Sequence, residues 1–265
     1  MGIIRSIFLI TIVSVLIILM LPIQLLINLT NLKIKYKIPK LFLKIVSYII
    51  GLKIRSINFR NKNKNKYGVL YVSNHVSWMD ILCLGSLLDA QFIAKKEVAE
   101  MGLFGFLAKL NHTFFIDNTN QRKSFSYNEI IQAKLVKKQN LILFPEGTTS
   151  DGNSIRSFKS SFFESTNLPK YYPEKENDFI DVCPISLCYK DKNNLPMGIF
   201  YRRYVAWQGD YPLLRLMKIF LLSGPVSIDI IIHKSVDLSN FKNRKELSNY
   251  CQNTIQNTIT KELMI

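Results

Sequence analysis

Apolar and polar residues are unevenly distributed along this chain. No charged residue lies between Arg5 and Lys33, and the run SIFLITIVSVLIILMLPIQLLINL is long enough to cross a bilayer, for which about 20 apolar residues suffice. The run passes Pro22 into bulky Gln24, Leu25 and Leu26 with no small-residue cleavage site, so it reads as a retained anchor and not as a signal peptide. Pro22 permits either a simple span or a kinked hairpin that re-enters the same leaflet. Residues 38–54, IPKLFLKIVSYIIGLKI, are apolar with intermittent lysines. They suit a basic amphipathic helix in the membrane interface, or an ordinary helix packed on the following domain.

After the polar stretch NKNKNK (61–66), strand-like runs alternate with helical patterns. GVLYVS, QFIAK, TFFID, NLILF, DVCPISLCY, IFYRRYVAW and PVSIDIIIH read as strands. The segments from MDILCLGSLL, VAEMGLFGFLAKL and 124–138 read as helices, and 243–263 as a closing helix. Such alternation predicts an α/β fold, a mixed central sheet flanked by helices, with an N-terminal membrane-anchoring segment. We divide the chain into 1–58, anchor and interfacial helix, and 59–265, the catalytic domain.

Composition narrows the partners. The chain has 265 residues, a formal net charge of +16 and a mean hydropathy of +0.10. Such a charge attracts nucleic acid, anionic lipid or an acidic carrier protein alike. The absence of a nucleic-acid motif, together with the long apolar run, predicts a membrane partner and no nucleic acid. Lys33, Lys35, Lys37, Lys40 and Lys44 follow the run, against Arg5 before it, so the positive-inside bias places the downstream domain on the cytoplasmic face of the membrane. Cys83, Cys183, Cys188 and Cys251 show no paired spacing, which fits a reducing compartment. His75, His112 and His233 lack metal-ligand spacing, so no metal is expected.

Two stretches carry candidate chemistry. In NHVSWMD (74–80) His75 and Asp80 stand where a strand gives way to a helix. An imidazole accepts a proton near neutral pH, and a carboxylate on its other nitrogen fixes the tautomer. Ser77 and Asp80 also have the spacing of a helix cap and its partner, so a purely structural role fits the same residues. FPEGTTSDG (144–152) follows a second strand-like run. Glu146 suits a substrate hydroxyl or ammonium, and Gly147, Thr148 and Thr149 suit a phosphate, although a plain polar turn would have the same composition.

Together the two stretches resemble the glycerolipid acyltransferase family, whose type members are 1-acylglycerol-3-phosphate (lysophosphatidic acid) acyltransferases. NHVSWMD is similar to the family's first block and FPEGT matches the third. FFIDN (114–118) resembles the second block, with Asn118 where an arginine is usual and Arg122 nearby. VCPIS with Pro184 resembles the fourth, and Lys159 in SFKSSFF stands in an expected place. The resemblance implies that His75, oriented by Asp80, takes the proton of an acceptor hydroxyl attacking an acyl thioester on coenzyme A or acyl carrier protein. It implies no acyl-enzyme and no cofactor beyond that co-substrate.

The implied substrate-binding residues are Glu146, Gly147, Thr148, Thr149, Arg122 and Lys159, with Lys95, Lys96, Lys123 and Arg156 as further phosphate or carrier contacts. The leading expectation is transfer to 1-acylglycerol-3-phosphate, making phosphatidic acid for phospholipid synthesis. Asn118 motivates the alternative of another lyso-lipid acceptor, such as a lyso-aminolipid. A non-catalytic membrane-binding protein is the reading from a different class.

Overall fold

The structure is a computed structural model that describes residues 2–30, 32–58, 66–117, 124–172, 178–207 and 211–263. In chain order its elements are α1 (Gly2–Asn28), α2 (Lys37–Ile50), β1 (Leu52–Ile57), β2 (Leu70–Ser73), α3 (Met79–Leu87), β3 (Gln91–Lys95), α4 (Gly102–Leu110), β4 (Phe114–Ile116), α5 (Ser124–Val136), β5 (Leu141–Leu143), α6 (Leu168–Tyr171), β6 (Val182–Lys192), β7 (Leu195–Pro196), α7 (Ile199–Arg202), α8 (Leu213–Ser223), β8 (Val226–Ile232) and α9 (Arg244–Leu263).

The strands form one mixed sheet in the order β1-β8-β6-β2-β5-β3-β4, and β7 folds back on β6. From β6 through β2, β5 and β3 to β4 every pairing is parallel, whereas β8 runs antiparallel to β6. Parallel neighbours need crossover connections, which α3, α4 and α5 supply. The first eight residues of β6, apolar on both faces but for Ser186, are all buried, as a central strand covered on two sides requires.

Alternation along the strands feeds two cores. Leu187, Tyr189, Ile228 and Ile230 face one side with Leu43 and Val46 of α2 and Met79 and Leu84 of α3. Cys188, Val72, Leu143 and Ile231 face the other, with Ile131 and Leu135 of α5. There α9 adds Leu247, Cys251, Ile255 and Ile259 at four-residue spacing, the stripe of a helix buried along one face. All four cysteines are free and buried.

The helix α1 continues through Pro22 as one helix of 27 residues, about 40 Å long at 1.5 Å per residue. Its most apolar window has a mean hydropathy of 2.9 and only 11% of that window is buried, so by length and composition it can cross a membrane. Of the two readings for 38–54, packing on the domain is what α2 displays: Leu43, Val46, Ser47 and Ile50 are buried. Residues 52–57, placed with the anchor by the sequence division, form β1 and pair in register with β8. A division at residue 58 thus separates an edge strand from its sheet. Residues 59–65, most of the NKNKNK stretch, lie outside the described residues.

The run IFYRRYVAW is not a strand. Asn193 and Asn194, with φ of 55° and 63°, reverse the chain in a tight hairpin, and β7 pairs with β6 for two residues only. Because β6 already has β2 and β8 on its flanks, the chain leaves the sheet and turns into α7. The helix α8 was not expected from hydropathy, although Leu213, Met217, Phe220 and Leu221 recur at helical spacing. It is half-buried against α1.

Candidate active site

The loops after β2 and β5 meet because these strands are parallel neighbours in register, Val72 opposite Leu143. Both loops therefore leave the same sheet edge. His75 lies in the first loop and Asp80 in the first turn of α3. His75 Nδ1 stands 2.8 Å from Asp80 Oδ2. Asp80 is fully buried, and its Oδ2 also accepts from the backbone N–H of Val76 at 2.6 Å and Ser77 at 2.9 Å. The capping role and the imidazole contact thus share one oxygen. The other, Oδ1, accepts the hydroxyl hydrogen of buried Tyr189, 109 residues away. Four donors thus converge on one carboxylate and fix its position in the interior.

With Nδ1 turned to the carboxylate as donor, Nε2 of His75 is the acceptor left for a substrate proton. The ring stacks on Phe144, centroids 4.0 Å apart and 14° from parallel, which restricts its rotation. Asn74 fixes the start of the loop: its amide donates to the Leu187 carbonyl at 3.1 Å and accepts the Leu187 N–H at 2.8 Å.

Glu146 is 4% exposed. Its Oε1 accepts the backbone N–H of His75 and its Oε2 that of Arg156, each at 2.7 Å. Instead of facing a substrate hydroxyl or ammonium, this side chain ties the two loops together. Ser150 adds a second tie, its N–H and hydroxyl both donating to the His75 carbonyl at 2.7 and 3.1 Å. Burial raises the Glu146 carboxyl to about 7 against the N–H donors and Arg156, which hold it down.

A carboxyl raised by folding favours the protonated folded state. Its stabilising contribution is full below about pH 4.5 and is lost as pH climbs to about 7, an effect of ~3 kcal/mol. Desolvation lowers His112 and His233, which act in the opposite direction, so urea unfolding at pH 5, 6, 7 and 8 is expected to show this decline in the difference between the unaltered chain and Glu146→Gln, with a plateau above 7. Glu146→Gln should flatten the 4.5–7 window.

Gly147, Thr148 and Thr149 border one large cavity together with His75. Gly147 has φ of 69°, a left-handed conformation suited to glycine. A Cβ there would stand 3.0 Å from Nζ of Lys159, so this lysine lies across the turn. Thr148 is exposed, whereas the hydroxyl of Thr149 donates to the Trp207 carbonyl. Lys95, half-buried at the end of β3, is the one lysine or arginine of the cavity wall among the described residues. Lys96 and Arg156 are exposed. Asn118, Arg122 and Lys123 lie outside the described residues.

The cavity measures about 810 Å³. Its wall is built mainly from α1, α2, α4 and α8 and is overwhelmingly apolar, with Val13, Phe42, Phe104 and Met217 among its residues. This site therefore joins an imidazole–carboxylate pair to a space fit for hydrocarbon. His112 and His233 take no part: His112 packs on Tyr36, and His233 meets the Ser186 hydroxyl at 2.8 Å. Among the described residues no cluster of His, Cys, Asp and Glu could hold a metal ion.

Sequence reasoning missed Phe144, Asn74 and Ser150 as supports, although all three lie in or beside the quoted stretches. Tyr189 and Trp207 carry no local signal. Tyr189 reaches Asp80 only because alternation along β6 turns it to the face that α3 covers.

Comparisons with known proteins agree with this geometry. A family model described as Acyltransferase matches residues 56–188, which include both loops. The chain is 31% identical over 244 residues to a lyso-ornithine lipid O-acyltransferase of Rhizobium meliloti (strain 1021), covering 92% of this chain and 82% of that protein. It is 35% identical over 98 residues to a 1-acyl-sn-glycerol-3-phosphate acyltransferase of Neisseria gonorrhoeae, covering 37% of this chain and 38% of that one. Among solved structures, the 1-acyl-sn-glycerophosphate acyltransferase PlsC from Thermotoga maritima shares the fold, with a TM-score of 0.67 at 19% identity over 98% of this chain and 97% of that one. The paired loops, the apolar cavity beside them and these likenesses lead to one conclusion: the chain is an O-acyltransferase and belongs to the acyltransferase family.

Proposed function

We propose that this enzyme moves a fatty acyl group from a thioester of coenzyme A or acyl carrier protein to the hydroxyl of a lyso-aminolipid of the lyso-ornithine type, on the cytoplasmic face of a membrane. The single observation that carries the reaction is His75, held by buried Asp80 in the wall of an apolar cavity. The acceptor hydroxyl gives its proton to Nε2 as its oxygen bonds the acyl carbon. The carbon–sulfur bond then breaks, and the imidazolium returns the proton to the departing thiolate. Asp80 orients His75 and stabilises the imidazolium, and neither Ser77 nor any buried cysteine is needed as a nucleophile.

For the acceptor, the support is the extent of the likeness. The Rhizobium relative, named for a lyso-ornithine lipid, aligns with 92% of this chain, and the Neisseria relative, named for a glycerol phosphate, with 37%. The apolar α1 beside the cavity supports delivery of the acceptor from a bilayer. A second reading, 1-acylglycerol-3-phosphate as acceptor, is supported by Lys95 in the wall and Lys159 across Gly147, cations of the kind a phosphate would need. Purified enzyme is to be assayed with lyso-ornithine lipid, 1-acylglycerol-3-phosphate and a neutral lyso-lipid, each with both thioesters. Preference for the phosphate ester would reverse the order of the two readings.

Tyr189 serves in this scheme as a positioning residue. Tyr189→Phe keeps the ring but removes a donor that fixes the Asp80 carboxylate, and with it the orientation of His75. Its kcat is expected to fall about tenfold with KM for the acceptor unchanged. An unchanged kcat in the folded variant would restrict Tyr189 to packing.

A further inference from the structure

Between residues 192 and 218 the sequence has five cations, Lys192, Arg202, Arg203, Arg215 and Lys218, against one acid, Asp210, and of the five only Arg202 is buried. Leu195, Ile199, Phe200, Tyr201, Tyr204 and Leu214 are all exposed in this stretch, Phe200 at 73%. Three of the cations lie over rings: Arg203 over Phe200 at 5.6 Å, Lys192 over Tyr204 at 5.6 Å and Arg215 over Tyr211 at 4.9 Å. Large apolar residues clustered at a surface mark a contact site. Aromatics interleaved with cations suit the headgroup layer of a bilayer.

The patch is linked through the end of α8 to the start of α1. Asn193 donates to the Ser223 carbonyl at the end of α8 at 2.8 Å, and Gly2 lies against Leu222, bringing exposed Ile3, Ile4 and Ile7 alongside. The same segment is tied inward to the site. The Trp207 N–H donates to the Val76 carbonyl at 2.8 Å, and Asn153 donates to the Ile199 carbonyl at 3.2 Å while accepting from Arg202 at 2.7 Å.

We propose that the exposed surface of residues 195–204 and 211–218 is a contact for anionic lipid bilayers that holds the loop beside His75 against the membrane. Each lysine or arginine near an anionic surface contributes about 1 kcal/mol, so the contact should discriminate by lipid charge. The proposal rests on a lipid acceptor for its kinetic test but not for its binding test.

The full chain carrying Phe200→Ser, Tyr201→Ser and Tyr204→Ser alters only exposed side chains. With acceptor dispersed in phosphatidylglycerol vesicles, its kcat/KM is expected to fall about tenfold, with a water-soluble short-chain lyso-lipid unaffected. Separately, an environment-sensitive fluorophore at Tyr201→Cys should shift its emission to the blue on phosphatidylglycerol vesicles and not on phosphatidylcholine, the native cysteines being buried. An unchanged emission on phosphatidylglycerol, equal loss on both acceptors, or a defect confined to KM for the acyl carrier thioester would overturn the proposal. The last outcome would assign the patch to an acidic carrier protein. If neither acceptor is turned over by the unaltered enzyme, the acyl-acceptor reading fails while the fluorophore still decides the surface.

Discussion

Replacing His75 with alanine is expected to abolish measurable acyl transfer while the fold survives. A positioned general base contributes about 10²- to 10⁴-fold, and no other imidazole or carboxylate among the described residues stands free in the cavity wall to replace it. The structural cost is small. Asp80 keeps the N–H groups of Val76 and Ser77 and the hydroxyl of Tyr189, so no uncompensated charge appears in the core. What is lost is the stacking on Phe144, about 1 kcal/mol. Thiol release from an acyl thioester in the presence of lyso-lipid measures the activity, and thermal melting followed by circular dichroism measures the fold. Retained turnover in a folded His75→Ala protein would overturn the mechanism.

The second large effect separates charge from structure at Asp80. Asparagine can place its carbonyl oxygen where Oδ2 stands, accepting from His75 and the two backbone N–H groups, and its amide can donate to the oxygen of Tyr189, a hydroxyl able to accept. Asp80→Asn should therefore fold with a stability loss of about 1–2 kcal/mol. It nevertheless loses the negative charge that the imidazolium needs, and kcat is expected to fall about 10³- to 10⁴-fold, as in a triad deprived of its carboxylate. Asp80→Ala leaves two N–H groups and the Tyr189 hydroxyl buried without their acceptor, at about 1–3 kcal/mol each. The contrast between an inactive but folded asparagine variant and a poorly folded alanine variant is the diagnostic result, read by urea unfolding beside the thiol assay. Equal destabilisation in both would mean that Asp80 acts chiefly as a cap.

The site was legible in part because its chemistry is local. His75 and Asp80 are five residues apart, and the strand before them and the helix after them are visible in the alternation of GVLYVS and the composition of MDILCLGSLL. Glu146, by contrast, was expected to face the substrate because composition records that a carboxylate is present and not where its oxygens point. The pairing of β2 with β5 turns it toward the backbone of a residue 71 positions earlier. β1 was assigned to the anchor for a related reason. Its partner β8 lies more than 170 residues on, as the ion pair Arg55–Asp229 between them shows, and no local pattern records that neighbour.

By itself the sequence determined the periodic features: the apolar helix α1, the alternation that sets the α/β class, the stripe of α9, and the spacing that puts an imidazole and a carboxylate at one strand-to-helix junction. These depend on residues within a turn or two of each other, where spacing alone decides which face a side chain takes. Only the tertiary structure decided that two loops share one sheet edge, that Tyr189 holds the second oxygen of Asp80, and that α1, α2, α4 and α8 enclose a cavity of about 810 Å³ beside His75. Those outcomes follow from strand order and register, which arise from burial of whole faces across the chain and leave no mark in any short stretch of it.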